Sequence, residues 1–486
     1  MTRSNFLFKI SIFLSFWFCA VNSFAQQNQS TAPNVILINV DDLGWADLGF
    51  MGSSYYQTPN LDKLSQQSVI FMQAYAAASN CAPSRASLLT GKYPMTHGIY
   101  TVDPANRGDK RSRRLNAAPN AKSLPEEIYT LGEFFKDHGY RTGIFGKWHV
   151  SEDPKEYGFD VNVGGNHRGN PGKDGYFSPY VVPIESDQKG EYLTDRLTDE
   201  AISFLKQNSQ SPFFLYLPFY TVHSPLIGKP ELVAKYERIA GNPRHHHPVY
   251  AAMIESMDEN VGRLLHEVSA LNLDEETIVI FTSDNGGVRA TSRQDPLRAG
   301  KGSYYEGGIR VPLLIRWTGS IESKTSEAPV SQLDLFPTLH TLIRSERKLD
   351  LDGNDFSPLL SGENWQQKDL FWHFPIYLEA YQPLEDQARD LLFRTRPGSV
   401  IRSGDWKLHE YFEDGGIELY HLNDDPSESQ NLAAKYPEKA QELLQKLNAW
   451  QKATSAPIPA EINPDFDPDF EREAIKKAGY KKQEPL

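Results

Sequence analysis

The sequence predicts an α/β protein with a large central, mostly parallel sheet flanked by helices and a smaller C-terminal α+β subdomain. Three observations predict it. Four short apolar runs each end in polar, chemistry-bearing residues, helical patterns lie between the runs, and the character of the chain changes after about residue 365. Continuous Val, Ile, Leu and Phe suit strands covered on both faces. Strands alternating with helices build a sheet of this class.

The chain has 486 residues, enough for a large core and more than one domain. Residues 1–25 carry Arg3 and Lys9, then an apolar stretch over 10–20 that is short for a bilayer, then Ser23-Phe24-Ala25. That layout predicts a secretory signal peptide and an exported chain starting near Gln26. Trp17 and Phe18 are too bulky for a lipoprotein signal at Cys19. No other stretch is long and apolar enough to span a membrane, so no stable membrane insertion is expected.

The predicted strands follow in order. "NVILINV" (34–40) runs into Asp41-Asp42, "RTGIF" (141–145) into Gly146-Lys147-Trp148-His149, "PFFLYLPF" (212–219) into Thr221-Val222-His223, and "TIVIF" (277–281) into Ser283-Asp284-Asn285. Helices are expected over 123–138, 191–207 and 250–271. Ligands bind beyond the carboxyl ends of strands in such sheets. One Asp-Asn end is an ordinary helix cap, but four converging ends point to a site. Further on, 400–412 and 417–422 read as short antiparallel strands, followed by a turn and an amphipathic helix. Residues 455–486, rich in Pro, Asp, Lys and Glu, read as a surface-hugging or partly disordered tail.

The formal net charge is −13, which argues against a nucleic-acid partner. An anionic ligand would need a local cation cluster or a metal to attract it. Of two cysteines, Cys19 leaves with the signal, so Cys81 has no partner for an intramolecular disulfide. A buried structural thiol is the ordinary explanation for such a residue. Its neighbours argue otherwise. In "SNCAPSRASLLTG" (79–91), Pro83 fits the first turn of a helix and Gly91 its stop. Cys81 then sits at the positive end of the helix, with Arg85 one turn away on the same side.

With these blocks the chain resembles the type I, formylglycine-dependent sulfatases of the alkaline phosphatase superfamily. "CAPSRASLLTG" is similar to their modification signature and "GYRTGIFGKWH" (139–149) to their second signature. "VILINVDDLGW" (35–45), "TSDNGG" (282–287), "GKGSYYEGGIRVP" (300–312) and "LYHLNDDPSESQNLA" (419–433) match further blocks in order. C-x-P-x-R alone is a moderate signal; six blocks in order, covering most of the chain, are a strong one. The resemblance implies an alkaline phosphatase-like catalytic domain over 26–365, a C-terminal subdomain over 366–454, and the tail.

It also implies roles. A formylglycine-generating maturation enzyme oxidises Cys81 to formylglycine (3-oxoalanine), whose hydrate attacks sulfur. Asp41, Asp42, Asp284 and Asn285, with an oxygen of the modified residue, bind one divalent cation, usually Ca2+. Hard oxygen donors without an imidazole or thiolate suit Ca2+ or Mg2+ rather than zinc. Arg85, Lys147 and Lys301 stabilise charge on the sulfuryl oxygens. His223, with Lys301, protonates the leaving alcohol, and His149 deprotonates the second hydroxyl to expel sulfate.

For the substrate, the resemblance extends to carbohydrate sulfatases of polysaccharide-degrading bacteria, including those acting on ulvan and carrageenan. The expected substrate is a sulfated algal polysaccharide such as ulvan, or its oligosaccharides. Glycosaminoglycan or aryl sulfates come second, and phosphonate or phosphodiester hydrolysis is the alternative reaction. A relic that only binds polysaccharide would have lost catalytic residues, yet every expected position is filled. His167 and Arg168 in a Gly-rich loop, and Arg396 near Arg394 and Arg402, are the expected substrate-binding residues. Arg244-His245-His246-His247 would line the mouth or form a polar loop. The expected address is export, periplasmic rather than secreted.

Overall fold

The computed structural model describes residues 32–186 and 188–480. The expected signal peptide lies outside the described residues. Nine strands form the main sheet: β1 (Asn34–Val40), β2 (Val69–Tyr75), β3 (Arg141–Phe145), β4 (Val161–Val163), β5 (Phe213–Pro218), β6 (Thr277–Ser283), β7 (Arg310–Trp317), β8 (Lys324–Ser326) and β9 (Val330–Ser331). Their order is β4-β3-β5-β1-β6-β7-β2-β8, with β9 beside β2. β7 runs antiparallel to both β6 and β2; the remaining pairings in this sheet are parallel.

The sheet is buried on both faces, as its uninterrupted apolar strands require. Along β1, Ile36, Ile38 and Val40 enter one core while Val35 and Leu37 enter the other. β6 does the same with Val279 and Phe281 against Ile278 and Ile280. This is the period of two expected of a pleated strand. The helices Leu193–Asn208 and Pro248–Ala270 cover the first face, and Leu131–Asp137 with Cys81–Thr90 cover the second.

The four expected strands are present and adjacent, in the order β3-β5-β1-β6. The helix expected over 123–138 is shorter, beginning at Leu131. Thr130 accepts from the Glu133 N–H while the Glu133 carboxylate accepts from the Thr130 N–H, a capping box that fixes the start there. β7 contains Pro312, opposite a register break of β2 between Phe71 and Ala74. The missing N–H therefore falls where the ladder is already interrupted.

The C-terminal subdomain contains β10 (Leu370–Phe374), β11 (Leu378–Glu379), β12 (Phe393–Thr395), β13 (Gly398–Ser403), β14 (Trp406–Tyr411) and β15 (Ile417–His421). β10-β13-β14-β15 form an antiparallel sheet, and β11 pairs with β12. The helix Pro437–Ala453 packs Leu443 and Leu447 against Ile401, Leu408 and Leu419 of that sheet. Part of the stretch read as a surface-hugging or partly disordered tail forms the helix Pro468–Tyr480, which lies against the body with Phe470 under the Arg111 guanidinium and Glu471 paired to Arg396.

Candidate active site

Most of the expected groups hang from strand ends; Arg85 sits inside a helix and Lys301 in the turn at 301–302. Asp41 and Asp42 follow β1, Lys147 and His149 follow β3, His223 follows β5, and Asp284 and Asn285 follow β6. Because these four strands are neighbours, their polar ends meet above one edge of the sheet. Cys81 comes from beyond β2 as the first residue of the helix Cys81–Thr90, which Gly91 ends at φ 63. Asp42 and His149 both have left-handed backbones, φ 63 and φ 67. For side chains other than glycine this conformation costs roughly 1–3 kcal/mol and concentrates at functional sites.

The Cys81 Sγ lies 3.3 Å from Asp41 Oδ1 and 3.9 Å from Asp42 Oδ1. Lys301 Nζ is 3.2 Å from the sulfur and 2.7 Å from Asp42 Oδ2. Lys147 Nζ donates to Asp41 Oδ2 at 2.6 Å. Arg85, fully buried, donates through Nε to Asp284 Oδ2 at 2.8 Å and through Nη1 to the Lys147 carbonyl at 3.0 Å. Its Nη2 has no hydrogen-bond partner among the described residues. Burial alone would raise the Cys81 thiol pKa, but Lys147 and Lys301 pull it down to about 6. Burial, reinforced by Asp41, raises Asp284 to about 6 against the pull of Arg85.

The two histidines differ. Burial, then Lys147 and Arg85, hold His149 well below the usual imidazole range, so its ring is neutral. Its Nδ1 is buried without a partner among the described residues, and Gly169 packs on the ring. His223 is depressed by burial and by Lys301, yet Asp41 and Asp42 outweigh both and raise it. Its Nδ1 donates to the Ser224 carbonyl at 2.6 Å, leaving Nε2 3.6 Å from Asp42 Oδ2. A ring held neutral and a ring whose protonated form the carboxylates favour thus flank the same centre.

The donor set fits a hard divalent cation. Ligand atoms of Asp41, Asp42, Cys81 and His223 lie within 4.8 Å of one another. Asn285 spends its amide nitrogen on Asp42 Oδ1 and the Gly286 carbonyl. That leaves Asn285 Oδ1 buried with no partner, an oxygen suited to a cation. Asp284 lies beside this group rather than in it: its Oδ1 accepts the Asp42 N–H at 3.2 Å and its Oδ2 accepts from Arg85.

A family model described as Sulfatase matches residues 33–345. The chain belongs to the sulfatase family. A second model, N-sulphoglucosamine sulphohydrolase, C-terminal, matches residues 300–453. A sulfatase of Formosa agariphila is 33% identical over 90% of this chain and 92% of its own length. Human arylsulfatase A is 30% identical, covering 86% of this chain and 87% of its own. The solved structure of Ps i-CgsB in complex with k-i-k-neocarrahexaose superposes with a TM-score of 0.70 at 28% identity, covering 93% of this chain and 98% of that one. The protein is a sulfuric ester hydrolase, with the alkaline phosphatase-like architecture of its relatives.

In this sulfatase the Cys81 sulfur faces a cavity of about 180 Å3, walled by His149, His223 and Lys301 and also by Arg107, Tyr381 and Arg394. A second hollow of about 390 Å3 shares Val102, His149 and Gly169 with it and holds His167 and Arg168. His167 is paired there to Glu152 at 2.7 Å. Arg396 is a correction: Asp390, Glu413 and Glu471 saturate its guanidinium away from the cavity. Arg402 is spent on Tyr75 and Gln73. Residues 244–247 stay outside the cavity too, with Arg244 on the Gly52 and Asp295 carbonyls and His245 against Tyr56. Arg107 and Tyr381 were not foreseen; neither sits in a motif, and only the folded chain brings them to Cys81.

Proposed function

We propose that this sulfatase removes sulfate from a sulfated carbohydrate, an algal polysaccharide such as ulvan or an oligosaccharide from it. Cys81 is the precursor of a formylglycine, made by a maturation enzyme, and Asp41, Asp42, Asp284 and Asn285 with the oxidised residue 81 hold one Ca2+. The observation that carries this reading is the convergence on the Cys81 sulfur of two carboxylates, Lys301, and a cavity reaching both histidines. The sulfur stands where an oxygen of the oxidised residue would. The polar cavity and the likeness to a protein solved with a neocarrahexaose support a sugar sulfate.

When present, the cation and the hydrated aldehyde supply positive charge and an oxygen nucleophile. The chain does the rest. Lys147, Lys301 and the free Nη2 of Arg85 offer donors to the sulfuryl oxygens in a buried site, where such donors are worth far more than in water. His223, whose protonated form Asp41 and Asp42 favour, gives a proton through Nε2 to the departing sugar oxygen. His149, held neutral, takes one from the hydroxyl of residue 81, which releases sulfate and restores the aldehyde. Export to the periplasm, read from residues 1–25, fits a polymer-derived substrate.

The test is sulfate release by protein from a host with the maturation enzyme. Ulvan and carrageenan oligosaccharides should release sulfate, chelation should stop it, and Ca2+ should restore it. Preference for a phosphodiester over every sulfate ester would contradict the reading.

A further inference from the structure

Two guanidinium groups in the wall of the Cys81 cavity have no carboxylate to balance them. Arg394, on β12, is 5% exposed. It donates through Nε to the Glu379 carbonyl at 2.9 Å and through Nη1 to the Lys301 carbonyl at 2.6 Å. The Tyr381 ring stacks on it at 3.4 Å. Arg107 reaches the cavity from a separate loop and donates through Nη2 to the Val102 carbonyl at 2.9 Å. Neither forms an ion pair among the described residues.

The carboxylate whose charge acts on Arg394 is Asp386, which makes no ion pair with it and whose Oδ2 accepts the main-chain N–H groups of Tyr381 and Gln382. Burial and the neighbouring Arg107 both disfavour the charge on Arg394. A buried cation without a counter-charge is costly, and main-chain carbonyls repay only part of that cost. Other buried cations are held by carboxylates, Arg85 by Asp284, Lys407 by Glu306 and Arg396 by three of them, while Arg402 is satisfied by neutral oxygens of Tyr75 and Gln73. Buried Arg394 and half-buried Arg107 have spare donors and share one wall, beside the sulfur, in a protein of net charge −13.

We propose that Arg107 and Arg394 form a subsite for a second oxyanion of the substrate, a carboxylate or sulfate on the sugar that bears the scissile ester or on its neighbour. The proposal rests on the sulfatase reading and narrows it to polyanionic sugars. The stack on Tyr381 holds the Arg394 fork in one plane, which suits two-point recognition of an oxyanion. Arg394 Nη2 donates to nothing among the described residues, and Arg107 keeps Nε and Nη1 free.

The experiment measures sulfate release from 4-nitrophenyl sulfate and from matched oligosaccharide pairs. Each pair carries the same sulfated sugar with and without an adjacent uronate carboxylate or second sulfate. The doubly anionic member should be preferred in kcat/KM by about 10–100-fold, the worth of one charge-assisted contact. Arg107→Met and Arg394→Met should each cut that ratio about tenfold or more, and Arg107→Lys should keep part of it. Arg107 is half-buried on a loop, so its variants test the subsite even where Arg394→Met does not fold. Which arm responds, uronate or second sulfate, identifies the anion. Equal turnover within pairs, or a preference that survives both substitutions, overturns the subsite. Release from 4-nitrophenyl sulfate alone also overturns it, while leaving the sulfatase reading intact. Release from no sulfate ester at all overturns both.

Discussion

At the residue scale, Gly302 joins Lys301 to the C-terminal subdomain. It has φ 83, and a Cβ there would sit 2.4 Å from Arg394 Nη1. Its N–H bonds the Ser79 carbonyl and its own carbonyl accepts from Thr395. Gly302→Ala should therefore cost roughly 1–3 kcal/mol of stability from the backbone alone. It should also lower kcat/KM, because Lys301 and Arg394 are both displaced; unchanged kinetics and an unchanged unfolding midpoint would contradict this placement. His97 gives a pH signature remote from the chemistry. Burial pushes it down to about 3, its Nδ1 accepts the Ile99 N–H, and its Nε2 lies 3.0 Å from the Ser87 hydroxyl. The folded state keeps this ring neutral while the unfolded chain protonates it near pH 6.5. Stability should thus fall by up to about 1.4 kcal/mol per pH unit as pH drops from 6.5 toward 3. Denaturant unfolding of the protein and of His97→Gln at several pH values checks this; the variant should lose that component of the slope.

At the element scale, the helix Leu131–Asp137 owes its start to Thr130. Thr130→Ala should destabilise by about 1 kcal/mol in denaturant unfolding, with little change in kcat, since the helix sits below the sheet face rather than at the site. The same helix shows where sequence reading succeeds and where it stops. Periodicity alone extended it back to residue 123, because Pro125 and the polar residues after it carry no apolar contradiction. β1, β3, β5 and β6 were legible because each is apolar on both faces and ends in its own polar block. β7 was hidden by Pro312, which only the β2 register break makes tolerable. The site residues inside motifs were legible for the same local reason. Arg107 and Tyr381 were not, because their place at the cavity depends on loops closing across the C-terminal subdomain. Arg396 looked like a binding arginine because no local pattern marks Asp390, Glu413 and Glu471 as its partners, and Glu471 comes from the far C-terminal helix.

At the scale of the whole molecule, a buried charge cluster joins the C-terminal subdomain to the main sheet. Lys407 of β14 pairs with Glu306 and with Glu428, each at 2.9 Å, and all three side chains are fully buried. Glu306 also accepts from Tyr75 of β2 at 2.7 Å, and Glu428 accepts the Glu306 N–H at 2.6 Å. Removing Lys407 leaves Glu306 only the longer contact to Arg310 and Glu428 only the imidazole of His409, so Lys407→Ala should cost about 3 kcal/mol. Activity should fall with it, because this junction seats β12, whose Arg394 and Thr395 hold Lys301 and Gly302. A Lys407→Ala protein with native stability and native kinetics would show that the subdomain is seated by other contacts.

The central claim is that Cys81 acts as an oxidised residue within this cluster of Asp41, Asp42 and Lys301. The direct measurement is the mass of the peptide bearing residue 81, quantified as aldehyde against thiol, in preparations whose sulfate release is assayed in parallel. The account predicts that release scales with the aldehyde fraction, and that Cys81→Ala and Cys81→Ser fold normally but release none. Full sulfate release from a preparation in which residue 81 is entirely thiol, or from Cys81→Ala, would contradict it.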